Sequence, residues 1–214
     1  MIKTLHYPCA GADTLLIMLP GAGITAEDFA AQGMVAALQA RRGVAVIAAA
    51  PDIALYLENG VTAALHEQVV APALARGIKR IWLLGISLGG MGALLYATVH
   101  QQYLENIFLI APFLGTKGTV AELARAGGIA PWRAAQSCAT NPEQNLLAWL
   151  QVYVAAGAGQ PALYLGYATQ DRFAAAHAML AACLPPARVA AVPGGHDWPS
   201  WRALWQQMLA LLDG

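Results

Sequence analysis

Short, continuous apolar runs alternate along this chain with stretches of helical periodicity. No other feature restricts the fold as much. The runs occupy residues 14–19, 44–50, 81–84, 107–111, 162–166 and 189–192. A strand with one wet face alternates apolar and polar residues, whereas an unbroken apolar strand is covered on both sides. Strands of that kind joined by helices build a mostly parallel sheet between two helical layers. Helical patterns fall at residues 25–41, 61–76, 88–101, 145–155 and 200–212. Thr25, with Asp28 three residues on, reads as a helix N-cap, and Pro72 is expected to kink the second helix. In the last helix Trp201, Leu204, Trp205, Met208 and Leu212 share one face. The expected fold class is α/β, a three-layer α/β/α sandwich, with His6 on an edge strand.

One segment breaks the rhythm. Residues 112–160 hold Gly115, Gly118, Gly127, Gly128 and Pro131, then a helical pattern, and no convincing strand. A single crossover needs less chain. This segment is expected to be a helical insert forming a lid or pocket wall. With no linker, repeat or low-complexity stretch, residues 1–214 read as a single domain.

Composition narrows the function. Of 214 residues, 58% are hydrophobic and 11% charged, which excludes a disordered chain. Twelve basic residues balance twelve acidic ones, so nothing draws the protein generally to nucleic acid or anionic membranes. Cys9, Cys138 and Cys183 form no C-x-x-C pair and no disulfide framework, so they read as buried small hydrophobes in a reducing compartment. Residues 81–104 lack charge and are long enough to span a bilayer. Gly85, Ser87, Gly89, Gly90 and Gly92 within them fit a strand, a tight turn and a buried helix better. Residues 1–7 hold no apolar run long enough for a signal peptide. The expectation is a soluble, cytoplasmic protein with neither nucleic acid nor membrane as partner.

The chemistry centres on Ser87, one of three serines with Ser137 and Ser200. It lies in Gly85-Ile86-Ser87-Leu88-Gly89, after an apolar run and before a helical pattern. A serine hydroxyl becomes a nucleophile when a base takes its proton during attack. A sharp strand-to-helix turn exposes it to a substrate carbonyl, and crowding there demands glycine on both flanks. The following helix start offers free N–H groups to a developing oxyanion. His196, in Pro193-Gly194-Gly195-His196-Asp197-Trp198, is the candidate base, because it follows the last strand at the sheet edge where Ser87 projects. His66, His100 and His177 fall in helical patterns and read as surface or satisfied core residues. Asp171 ends the preceding strand, 25 residues before His196, and would orient and stabilise the imidazole. Asp52 also ends a strand and is a second candidate. Asp197 is poorer, because a side chain adjacent to His196 points away. There is no H-x-x-x-H, H-E-x-x-H or Cys/His cluster, so no metal or other cofactor is expected.

The order Ser87, Asp171, His196, with this turn around the serine, resembles the α/β-hydrolase fold superfamily over nearly the whole chain. The resemblance implies a serine hydrolase acting on a small carboxylic ester or thioester. It also implies oxyanion donors at the backbone N–H groups of Leu88 and, by motif position in Leu19-Pro20-Gly21-Ala22-Gly23, Ala22. Many relatives carry histidine where this chain has Pro20.

Two other readings compete. Gly21-Ala22-Gly23-Ile24-Thr25-Ala26 matches a dinucleotide-binding G-x-G-x-x-A with Asp52 as the ribose-binding acid, which would make the protein an oxidoreductase. A hydrolase-like fold can also serve as a non-catalytic ligand-binding protein. For a substrate, Phe113, Leu114, Trp132 and Trp149 are candidate lining of an apolar pocket in the insert, or its own core. Lys117, Arg125 and Arg133 outnumber Glu122 there, a hint of an anionic substrate.

Overall fold

The computed structural model describes residues 1–133, 141–156 and 159–212. Its strands are β1 (Ile2–Tyr7), β2 (Thr14–Leu19), β3 (Ala45–Pro51), β4 (Arg80–Ile86), β5 (Leu104–Ile110), β6 (Ala162–Ala168) and β7 (Val189–Val192). They form one sheet in the order β1-β3-β2-β4-β5-β6-β7. β1 is antiparallel to β3 at one edge, and the remaining pairs are parallel.

The apolar runs are unbroken because both faces are covered. Leu15, Ile17, Leu19, Ile81, Leu83, Ile107 and Leu109 enter one core cluster, and Leu16, Met18, Trp82, Leu84, Phe108 and Ile110 the opposite one. The helices are α1 (Ala26–Ala31), α2 (Met34–Gln39), α3 (Ile53–Leu57), α4 (Val61–Leu65), α5 (Ala71–Ala75), α6 (Leu88–His100), α7 (Lys117–Ala126), α8 (Pro142–Ala156), α9 (Ala174–Ala181) and α10 (Trp198–Leu211). Phe29 of α1, Met34 of α2 and Trp205 of α10 pack on one face, while α4, α6, α7, α8 and α9 contribute to the core of the other. Among the described residues no helix is long and apolar enough to cross a membrane.

Two expected helices are interrupted. The pattern over residues 25–41 splits at Gly33, whose φ of +75° caps α2 in the left-handed conformation. The pattern over residues 61–76 bends one turn before Pro72. A π-helical turn, His66–Val70, joins α4 to α5. Pro72 donates no N–H and its ring crowds the carbonyl four residues back, so the turn ahead of it widens.

The connections position the site. The chain leaves β2 towards β3, then crosses back over β2 to reach β4. Strand order reverses between β2 and β4, and the loops at their C-terminal ends diverge around a crevice. Ser87 follows β4, Asp171 follows β6 and His196 follows β7, all at that end of the sheet. Between β5 and β6 the described residues form α7 and α8 and no strand, as expected for the insert.

Candidate active site

Ser87 caps α6 with φ +53° and ψ −115°. Side chains avoid this region, which costs on the order of 1–3 kcal/mol, so the surroundings must hold the residue there. They do so through the backbone. The Ser87 N–H donates to the Ile110 carbonyl of β5 at 3.1 Å. The Ser87 carbonyl accepts from Gly90 at 2.9 Å and from Phe113 at 2.9 Å. Glycine at 85 and 89 is obligatory. A Cβ on Gly85 would strike the Gly89 carbonyl, and one on Gly89 would strike the carbonyl of Leu19. The turn is thus wedged against the loop after β2, where Gly21 lies against the Ser87 Cβ.

The three polar side chains meet. His196 Nε2 is 2.9 Å from Ser87 Oγ, and His196 Nδ1 is 2.7 Å from Asp171 Oδ2. The Asp171 side chain is fully buried and that of His196 nearly so. Asp171 Oδ1 also accepts the Phe173 N–H at 2.8 Å. Burial alone would raise the Asp171 carboxyl. The hydrogen bonds from His196 and the Phe173 N–H outweigh burial and hold it below the ordinary carboxylate value. The loops carrying acid and histidine are tied together, with Gln170 N–H donating to Gly194 C=O at 3.0 Å. Gly194 turns its loop inward at φ +128°, a conformation that glycine tolerates.

Residues outside the three expected catalytic positions complete the surroundings. Phe173 and Trp201 stand edge-on against the His196 ring, at 5.2 and 5.1 Å between centroids. His177 is fully buried, not a surface residue. Its ring lies 2.9 Å from the Pro112 carbonyl through Nε2, while Nδ1 is buried without a partner. A carbonyl needs a donor, so Nε2 carries a proton, and burial, which lowers the affinity of the ring for a second one, favours the neutral form. That contact fixes the segment beside Ser87, where Ala111 has φ +47°. The sequence held no signal for it, because a helical histidine pattern does not reveal which carbonyl it meets.

The other candidates fall elsewhere. Asp52 caps α3, accepting the Ala54 N–H at 2.9 Å, and Asp197 caps α10, accepting from Ser200 at 3.0 Å. Neither carboxylate joins the Ser87–His196–Asp171 cluster. His66 Nδ1 bonds the Tyr96 hydroxyl at 2.9 Å, and the His66 and His100 rings stack at 4.2 Å, as satisfied residues do. Leu114 and Trp132 are buried in the main core, and Trp149 packs against it. These three belong to that core and do not line the cleft that Phe113 lines. Cys9 and Cys183 are half-buried rather than buried. Cys138 and Ser137 lie outside the described residues. The G-x-G-x-x-A segment ends in a six-residue α1 whose first turn holds Glu27 and Asp28, with Asp28 accepting the Thr25 N–H at 2.7 Å. The Asp28 carboxylate stands where a pyrophosphate would need N–H donors. Ala22 and Leu88, the two expected oxyanion donors, give their N–H groups to no backbone carbonyl among the described residues. No group of three or more metal-ligating side chains occurs among them either.

A doubly covered sheet with a serine turn at the end of β4 defines a protein of the α/β-hydrolase superfamily. Comparison with known proteins narrows this to a family. Residues 57–212 match the family model described as "Putative esterase", and the chain belongs to that esterase family of hydrolases. Solved structures share the fold at low identity. The S-formylglutathione hydrolase FrmB of Staphylococcus aureus superposes with TM-score 0.65 at 15% identity, covering 97% of this chain and 84% of that one. The fluorophosphonate-binding serine hydrolase FphF of the same organism gives 0.67 at 13%, covering 100% and 98%. A hydrolase from Pseudomonas aeruginosa gives 0.65 at 18%, covering 100% and 94%. No curated protein matches the chain.

Proposed function

We propose that the protein is a serine hydrolase that cleaves a small carboxylic ester or thioester through an acyl-enzyme on Ser87. The continuous hydrogen-bond line from Ser87 Oγ through His196 to Asp171 carries this reading. His196 Nε2 takes the hydroxyl proton as Oγ attacks the substrate carbonyl, and Asp171 holds the tautomer and stabilises the imidazolium. The backbone N–H groups of Leu88 and Ala22 receive the oxyanion. His196 then protonates the leaving alcohol or thiol. Water, deprotonated by the same ring, attacks the acyl-enzyme and releases the acid and the serine. Phe113 and the α7 residues Lys117, Val120, Ala121 and Ala124 serve as one wall of the substrate cleft. No observation favours hydride transfer, and a filled, hydrogen-bonded line of three residues speaks against a purely binding role. Ser87→Ala keeps the fold by circular dichroism and drops turnover of p-nitrophenyl esters by up to roughly 10⁶-fold, the loss seen on removing a protease nucleophile. Full activity in that variant would refute the proposal.

A further inference from the structure

A cleft of about 600 Å³ lies between α7 and the start of α9. That size suits a small organic substrate. Two of its lining residues contact the proposed catalytic residues, Phe113 through the Ser87 backbone and Phe173 through the His196 ring. Phe113 and Phe173 also pair edge-to-face at 5.6 Å, forming one apolar floor. Val120, Ala121, Ala124, Ala175 and Ala176 continue the apolar surface.

Charge in this cleft is of one sign. Among the described residues, Lys117 and Arg172 are the charged ones that line it, and no carboxylate does. Among the described residues neither cation forms a salt bridge. The Arg172 guanidinium lies 4.9 Å above the Phe173 ring, which orients it and places it one ring away from His196. Glu143 of α8, which reaches two residues beside the cleft, is already engaged. Its Oε2 accepts from the Thr116 N–H at 3.0 Å and from the hydroxyls of Thr116 and Thr119. Glu122 and Arg125 do not line the cleft, whose α7 wall is made by Lys117, Val120, Ala121 and Ala124.

We infer that the cleft selects esters or thioesters with an apolar arm ending in an anion, a carboxylate or phosphate held by Arg172 and Lys117. The inference rests on the serine-hydrolase reading and names its substrate class. The apolar floor takes the arm, and the two cations take its end. Hydrogen bonds to charged groups are about twice as strong as neutral ones, so the anion adds selectivity that the apolar floor cannot.

Matched esters test this. On the acyl side the pair is p-nitrophenyl hydrogen glutarate and p-nitrophenyl pentanoate, equal in chain length. On the alcohol side it is 4-carboxyphenyl pentanoate and phenyl pentanoate. The expected result is a charged-over-neutral preference in kcat/KM of about tenfold in one arm, residing in KM and shrinking as salt is raised. The arm that shows it identifies which half of the substrate fills the cleft. In the Arg172→Gln/Lys117→Gln double variant the charged-to-neutral ratio falls to near one. Equal or poorer use of both charged esters overturns the inference, as does a preference that survives in the double variant. A neutral fluorophosphonate separates the two levels of the argument. Labelling of Ser87 without a charge preference refutes only this inference, whereas failure to label Ser87 refutes the reading beneath it as well.

Discussion

Trp201→Ala separates holding the fold from holding the base. Trp201 is buried at the start of α10, with its ring edge-on to His196 at 5.1 Å. Truncating a buried tryptophan costs about 3–5 kcal/mol. Its indole N–H, however, is buried without a partner, and removing an unsatisfied donor returns about 1–3 kcal/mol. The net loss is then about 2 kcal/mol, and at about 2–4 °C per kcal/mol for a chain of this size, Tm falls by about 4–8 °C. Turnover should fall further than stability suggests. His196 loses one of its two aromatic walls, and a displacement of about 1 Å costs on the order of 10²-fold. Trp205→Ala is the comparison. Trp205 is fully buried, donates to the Met34 carbonyl at 2.9 Å and packs edge-on against Phe108. It does not touch the histidine ring, so its loss should lower Tm by more and folded-state turnover by less. Thermal melts and ester turnover, both measured well below the lower Tm, decide the matter. Undiminished turnover in folded Trp201→Ala would refute the reasoning that this ring positions the base.

Asp171→Asn should keep the geometry and lower kcat by roughly 10⁴-fold, since the amide favours the wrong imidazole tautomer. Asp52→Asn should leave steady-state kinetics nearly unchanged, because Asp52 only caps α3. Acid should weaken the fold through His177. Its burial holds the ring below its ordinary value of 6.5, so the unfolded chain binds a proton that the folded one refuses. Stability is therefore full above about pH 6.5 and declines as pH falls below it, and His177→Gln should make that decline of Tm shallower. Half-buried His100 is shifted in the same direction by its own burial and by His66, so the variant flattens the slope without abolishing it.

The sheet was legible in the sequence because covering both faces leaves apolar runs that nothing else produces. Ser87 and His196 were legible for a related reason. Gly85 and Gly89 are forced by backbone crowding, and the glycines before His196 by the turn of its loop, so the geometry of these turns leaves a local mark. Asp171 could be placed by its distance from His196 in the chain, and Asp52 set aside only by seeing it cap α3. The breaks at Gly33 and ahead of Pro72 were not placed. Helical periodicity continues across a left-handed residue or a widened turn without visible change. Long-range partners left no mark at all. The Phe173 and Trp201 rings, the His177 contact with Pro112 and the Arg172 position depend on which loops the fold brings together. Between pocket lining and core the sequence cannot choose for Leu114, Trp132 and Trp149, because both are apolar; the fold buries them against the main core.

The central claim is that Ser87, activated by His196, is the nucleophile. Treating the protein with a fluorophosphonate and mapping the adduct by mass spectrometry tests it most directly. The account predicts one adduct per chain, on the peptide bearing Ser87, formed far more slowly in His196→Ala. An adduct on Ser137 or Ser200, or a rate indifferent to the loss of His196, would contradict it.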